Sequence, residues 1–182
     1  GVYNAVKDVI NTGQILADSI RSGVPSTSSS SRIIAVSNQA QLTGSTSQSS
    51  LRSLVIPGGL MGTHGALRIH IELDAIGASS RTVTINFGGT QLASHSWTST
   101  NYRIINLLII NRGFYNRQVF DLSISYFRSA SSISFFDPGY SASVDTASID
   151  TLSDQKLEIL GQLTNGSDSI LLESVLVEVL PF

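Results

Sequence analysis

At 182 residues the chain has room for one domain with a substantial core, with at most a small appendage. Charged residues make up only 13%, against the roughly 25% of average globular proteins, so Ser, Thr, Asn and Gln must cover the surface, as in extracellular or particle-borne β proteins. A net charge of −2 gives no electrostatic case for nucleic acid, and the lack of cysteine excludes disulfides, zinc thiolates and cysteine nucleophiles.

Residues 1–25 read as an amphipathic helix serving as stalk or anchor. Val2, Val6, Val9, Gly13, Leu16 and Ile20 are spaced 4, 3, 4, 3, 4, a heptad seam with Gly13 as its flaw. Gly23 and Pro25 stop it. Roughly three heptads are marginal alone in water. The seam is therefore buried either on the body of its own chain or in a short parallel coiled coil. In the second case Val2, Val6, Val9, Leu16 and Ile20 form a trimer seam. Residues 26–32, STSSSSR, are a low-complexity polar linker.

From residue 33 to 182 the period is two. RIIAVSNQAQL and SSLRSLVIP read as strands with a turn near 43–48. Pro57 and the glycines of 58–65 then lead into LRIHIELDA. There Leu67, Ile69, Ile71, Leu73 and Ala75 face one way and Arg68, His70, Glu72 and Asp74 the other. RTVTINF repeats the pattern, with Val83, Ile85 and Phe87 inward and Gly88-Gly89 as its turn. YRIINLLIIN, residues 102–111, is apolar on both faces, so it is a central strand or has one face buried against another chain. VFDLSISYF and SISFF follow, then the turn DPGYS. QKLEILGQL and ILLESVLVEVLPF are expected to close the chain as a hairpin around TNGSDS. The core expected from these faces is Leu67, Ile69, Ile71, Val83, Ile85, Phe87, Leu122, Ile124, Tyr126, Leu157, Ile159, Ile170 and Leu172. The fold class is all-β: a jelly-roll-like antiparallel β-sandwich preceded by a short N-terminal α-helix.

Little in the chain carries chemistry. The glycine stretch has no Lys-Ser/Thr and no following helical pattern, so it reads as a tight turn into a strand rather than a phosphate loop. His64, His70 and His95 are not spaced as metal ligands, and no metal or cofactor is expected. There is no G-x-S-x-G elbow. Glu72 and Asp74 share a strand face but read as a salt-bridged face beside Arg68 rather than as a glycosidase pair. Asp145, Asp150 and Asp154 lack the calcium-loop pattern and read as a polar loop. Asn165 heads an N-x-S triplet that fits a turn equally well.

Two clusters suit a binding surface. SHSWTSTNYR puts Trp97, the sole tryptophan, near His95, Tyr102 and Arg103 in a polar loop, where aromatic faces stack on sugars and short polar groups hydrogen-bond; the alternative tucks Trp97 into the core rim. NRGFYNRQV offers Arg112 and Arg117 beside Phe114 and Tyr115, the residue types of interface anchors, or else an ordinary turn around Gly113. The candidate binding residues are Trp97, Tyr102, Arg112, Phe114, Tyr115 and Arg117.

Three stretches, LRSLVIPGGLMGTHGALRIHIELDAIG, RIINLLIINRGFYNRQV and DQKLEILGQLTNGSDSILLESVLVEVLP, together resemble a β domain recurring in structural proteins of tailed bacteriophages, especially tail fibres and spikes. The resemblance spans about residues 42–181. It is carried by the Pro-Gly-rich lead into Leu67-Arg68-Ile69, by Asn111, Arg112, Gly113, Asn116 and Gln118, and by Leu172-Glu173-Ser174. The turn at 77–82, GASSRT, is shorter than the one related chains carry. The resemblance implies a non-enzymatic, trimeric virion component on the particle surface, with other virion proteins as partners. The first functional expectation is a fibre or spike knob attaching to a host cell-surface glycan or protein. The second is a capsid decoration or head-fibre protein anchored through its N-terminal segment. A glycan-cleaving enzyme ranks last, for want of an acid pair. No apolar run approaches the roughly 20 residues of a membrane span, so membrane insertion is not expected.

Overall fold

The structure, a computed structural model, describes residues 31–37, 39–98, 100, 102–127 and 145–180. The helix with its trimer seam, all of the linker before Ser31, SISFF and DPGYS lie outside the described residues.

Eleven strands are described: β1 (Arg32–Ser37), β2 (Ala40–Thr43), β3 (Ser49–Ile56), β4 (Ala66–Ile76), β5 (Arg81–Phe87), β6 (Thr90–Trp97), β7 (Tyr102–Asn111), β8 (Gln118–Phe127), β9 (Asp145–Ala147), β10 (Gln155–Leu163) and β11 (Ser169–Leu180). They form two sheets with antiparallel neighbours throughout. The larger runs β1-β11-β4-β7-β8-β9, with β2 also on β11, and the smaller runs β3-β10-β5-β6. The runs β2-β11-β4-β7 and β3-β10-β5-β6 interleave strands from both halves of the chain, the jelly-roll arrangement of two Greek keys.

One apolar cluster lies between the sheets. Leu67, Ile69, Ile71 and Leu73 of β4 and Val175, Val177 and Val179 of β11 meet Val83, Ile85, Phe87, Leu157 and Ile159 of the smaller sheet, all at most 1% exposed. The alternation of β4 and β5 dictates this, because a strand with one apolar face gains only by turning that face inward. Eleven of the thirteen expected core residues are buried; Leu122 is half-buried and the side chain of Tyr126 lies outside the description. β7 is the expected central strand, hydrogen-bonded to β4 on one side and β8 on the other.

One expectation is corrected. β10 and β11 do not pair as a hairpin: β10 lies in the smaller sheet between β3 and β5, β11 in the larger between β1 and β4. The turn between them carries the chain from one layer to the other. Asn165 shapes it, its Oδ1 accepting from the Ser167 amide (3.1 Å) and hydroxyl (2.8 Å) while its Nδ2 donates to Ser79 Oγ (3.4 Å). The loop expected around Asp145 starts with the short strand β9. Asp150 and Asp154 then cap backbone amides, of Leu152 (3.1 Å) and Gly58 (2.8 Å) respectively.

Candidate binding site

The site is built outward from two buried amides. β7 ends at Asn111 and β8 begins at its register partner Gln118, only 2% and 1% exposed. A buried amide without partners costs about 1–3 kcal/mol per group, so these must be bonded. They are. Gln118 Nε2 donates to Asn111 Oδ1 (2.8 Å) and to the carbonyls of Tyr115 (2.9 Å) and Ile149 (3.1 Å), while its Oε1 accepts the Ile149 amide (2.8 Å). Asn111 Nδ2 donates to the Gly62 carbonyl (2.6 Å) and Thr151 Oγ1 (2.8 Å), and that hydroxyl donates to the Tyr115 carbonyl (2.8 Å).

Three segments are thereby fixed to each other: the glycine-rich 57–65, the β7–β8 turn 112–117, and 148–152. The glycines serve this packing. A Cβ on Gly58 would collide with the Leu152 carbonyl, and one on Gly65 with the Met61 carbonyl. Only a residue without a side chain lets these backbones approach.

On this foundation the β7–β8 turn faces outward. Phe114 is 54% exposed, and Arg112, Asn116 and Arg117 are exposed. The Arg117 guanidinium lies 4.7 Å from the Phe114 ring centroid, a cation–π contact that orients both. Beside them an open recess of about 500 Å³ is lined by Arg112, Asn116, Arg117 and Gln118 from the turn and by Thr146, Ala147 and Ser148 from β9 and beyond. Among the described residues no carboxylate lines it. It offers cations, amide and hydroxyl groups, which suit polyhydroxylated or anionic surface groups, and the exposed Phe114 ring lies against one of those cations, Arg117. Tyr115 is half-buried and contributes its carbonyl to the network beneath.

The other candidates sit elsewhere. Trp97 is not in a loop: it is the last residue of β6 and only 6% exposed, so its ring is not presented to a ligand. It stacks on His95 (centroids 5.5 Å, planes 14° apart) with the guanidinium carbons of Arg81 and Arg103 6.0 and 5.7 Å from its centroid. Arg81 is fully buried. Its Nη2 lies 3.5 Å from Asp168 and donates to the carbonyls of Gly77 (2.6 Å) and Ser79 (2.9 Å), holding the short 77–82 turn. Burial pulls the Arg81 pKa down against the opposing charge of Asp168. Burial, then the charge of Arg103, pulls His95 down.

Tyr102 opens β7 on the outer face of the larger sheet, nine residues from Asn111 and roughly 30 Å away at ~3.3 Å per residue. Its hydroxyl donates to Glu72 (3.1 Å), and burial together with that bond pushes its pKa up to about 12. Glu72 also accepts from Ser174 Oγ (3.0 Å) and meets His70 Nε2 (3.3 Å), and Asn106 Oδ1 lies 2.7 Å from His70 Nδ1. The bond from His70 holds Glu72 below its ordinary range against the opposing effect of burial, with help from Ser174 and Tyr102. Ser174 bonds to the Glu72 carboxylate rather than to the His70 imidazole. Arg68 pairs with Glu178 (2.8 Å) rather than with Glu72. Among the described residues no three His, Asp or Glu are grouped to hold a metal ion.

The predicted set thus splits. Arg112, Phe114 and Arg117 are brought together with Tyr115 beneath them, while Trp97 and Tyr102 are at the far end of β7. Sequence reasoning by composition missed Asn111, Gln118 and Thr151 as the foundation; the Asn-Arg-Gly stretch was the only signal for Asn111 and Gln118, and Thr151 had none.

No protein-family model and no curated protein sequence matches the chain. Among solved structures, lectin II from Ulex europaeus is 11% identical at TM-score 0.38, covering 86% of this chain and 94% of that one. PorU from Porphyromonas gingivalis is 12% identical at TM-score 0.35, covering 85% of this chain but only 14% of its own. The CBM2 module of the evolved Dit of Lactobacillus casei BL23 phage J-1 is 12% identical at TM-score 0.28, covering 69% and 67%. All three scores are below 0.5, so the functional reading rests on the site itself.

Proposed function

We propose that the chain is a non-enzymatic attachment module of a tailed bacteriophage, borne on the virion as a trimeric fibre or spike knob, and that the recess beside the β7–β8 turn engages a host-surface glycan or protein. The observation that carries this is the contrast within the turn. Asn111 and Gln118 lock its base, while Arg112, Asn116 and Arg117 stand in solvent around an open recess of about 500 Å³ and Phe114 is exposed against Arg117. A rigid sandwich fixes such a loop while its outer side chains remain free to specify the partner. Arginine and aromatic residues supply most of the energy of small contact sites. Three copies would raise weak single contacts to useful avidity. The phage assignment rests on the resemblance of residues 42–181.

The test measures binding of labelled protein to host cells for wild type and for Arg112→Ala/Arg117→Ala. Wild type binds, and the double variant loses at least tenfold in apparent affinity while melting at the same temperature. Equal binding by both proteins removes the recess from the reading. Immuno-electron microscopy on intact particles separates a fibre tip from the capsid surface.

A further inference from the structure

The two outer faces of the sandwich are chemically unlike. On the smaller sheet, register rows such as Ser53–Glu158–Asn86–Gln91 are polar, with Leu160 and Val55 the outward aliphatics. The larger sheet turns Ile104, Leu108, Ile110, Val119, Leu176 and Leu180 outward, all half-buried with nothing over them among the described residues. Ile33 and Ile76, 59% and 58% exposed, extend the same face. A shallow recess of about 180 Å³ between Leu108, Asp121, Ser123 and Leu180 interrupts it.

We propose that this face is an interface with a second copy of this chain. Three observations favour that occupant. First, the extent fits. Four strands at ~4.8 Å spacing and about ten residues at ~3.4 Å give on the order of 600 Å², near the roughly 800 Å² per partner of a standard interface. Second, much of the charge on this face is already paired: Arg68 with Glu178 at 2.8 Å, and Glu72 with His70, Tyr102 and Ser174. A covering surface therefore need not supply partners for those groups, which removes the main penalty of burying them. Third, the chain leaves the described residues at the edge of this same sheet, where Arg32 pairs with Val179 of β11. Among the residues beyond, Val2 to Ile20 carry the 4-3 heptad spacing. Chains joined along that seam would be tethered at this edge of the larger sheet.

The inference rests on the multi-copy part of the proposed function. The attachment part is tested separately, because no variant below touches Arg112, Phe114 or Arg117. Light scattering coupled to size exclusion is run on the full chain. Wild type gives a multiple of 19.4 kDa. Leu108→Glu and Ile110→Glu give 19.4 kDa, and the control Leu160→Glu on the opposite face keeps the wild-type mass. A wild-type chain of 19.4 kDa overturns the proposal, as does a Leu108→Glu chain with the wild-type mass. Should the glutamate variants not fold, the cysteine-free background provides a second reading. Ser123→Cys, on the proposed interface, reacts with a maleimide more slowly at high protein concentration than at low, while Ser96→Cys on the opposite face reacts equally at both. Concentration-independent labelling of Ser123→Cys overturns the proposal and points instead to cover by the chain's own leading segment or to a foreign partner.

Discussion

β7 carries a buried polar residue near each end, Arg103 and Asn111, and the two ends manage burial in opposite ways. At the first, cations go inside: Arg81 and Arg103 flank Trp97, and Asp168 answers the charge of Arg81. At the second, neutral amides go inside and the cations stay out: Asn111 and Gln118 bond to each other and to backbone, while Arg112 and Arg117 remain exposed. A buried charge ties its surroundings to one compensating partner. A closed network of neutral amides makes no such demand on the side chains above it, so that end can present function.

The largest test strikes the closed end. Asp168→Ala leaves Arg81 buried without its counter-charge and frees the Ser79 amide that Asp168 accepts at 2.9 Å. The expected cost is about 3–5 kcal/mol, read as a lower urea midpoint. An unchanged midpoint would mean that the pair is dispensable and the contrast between the ends is false.

The next strikes the foundation of the open end. Gln118→Ala strands the Ile149 amide and withdraws a donor from Asn111. The expected cost is about 2–3 kcal/mol by thermal or urea unfolding. Cell binding should fall as well, because the turn loses its anchor. Stability lost with binding intact would show that the recess does not depend on the network.

These ends differed in legibility as well. The strands of the body could be read because a period of two with one apolar face has one good solution, and β4 is its clearest case. That β10 and β11 part into different sheets could not be read, because alternation fixes which face is buried but not which neighbour is paired. Trp97 misled because Ser94, Ser96 and Thr98 around it look like a loop; they are the outward and terminal positions of an edge strand. Asn111 and Gln118 are polar residues in a polar turn, and composition cannot mark them as buried. Only their place in the Asn-Arg-Gly-x-x-Asn-x-Gln stretch set them apart.

The pH dependence sharpens the contrast further. His95 at the closed end has its pKa lowered by burial and by Arg103, so the unfolded chain binds more protons than the folded one below the ordinary value of 6.5. Stability is present in full above 6.5 and is lost as pH falls through the folded-state value. Glu72, lowered from 4.5, adds a second loss with the same sign in more acid solution. His95→Phe should remove the first slope and leave the second, as measured by urea midpoints between pH 7 and 4. A first slope that persists in His95→Phe would assign it to another group.

The smallest stability change belongs to a residue of the attachment surface itself. Phe114 is 54% exposed and touches Arg117 at 4.7 Å, an exposed cation–π contact worth about 0.5–1 kcal/mol at most. Phe114→Ala removes no buried group, so the melting temperature should move by little more than a degree or two, as for most surface substitutions. Binding to cells should weaken severalfold, because Arg117, which lines the recess, loses the ring that orients it. Phe114→Tyr keeps the ring and should bind nearly as wild type. The pair of variants separates two roles that the fold alone leaves joined. A large loss of stability in Phe114→Ala would make the residue part of the foundation with Asn111 and Gln118. Unchanged stability with weakened binding, restored by tyrosine, would make it part of the surface that the foundation exists to hold.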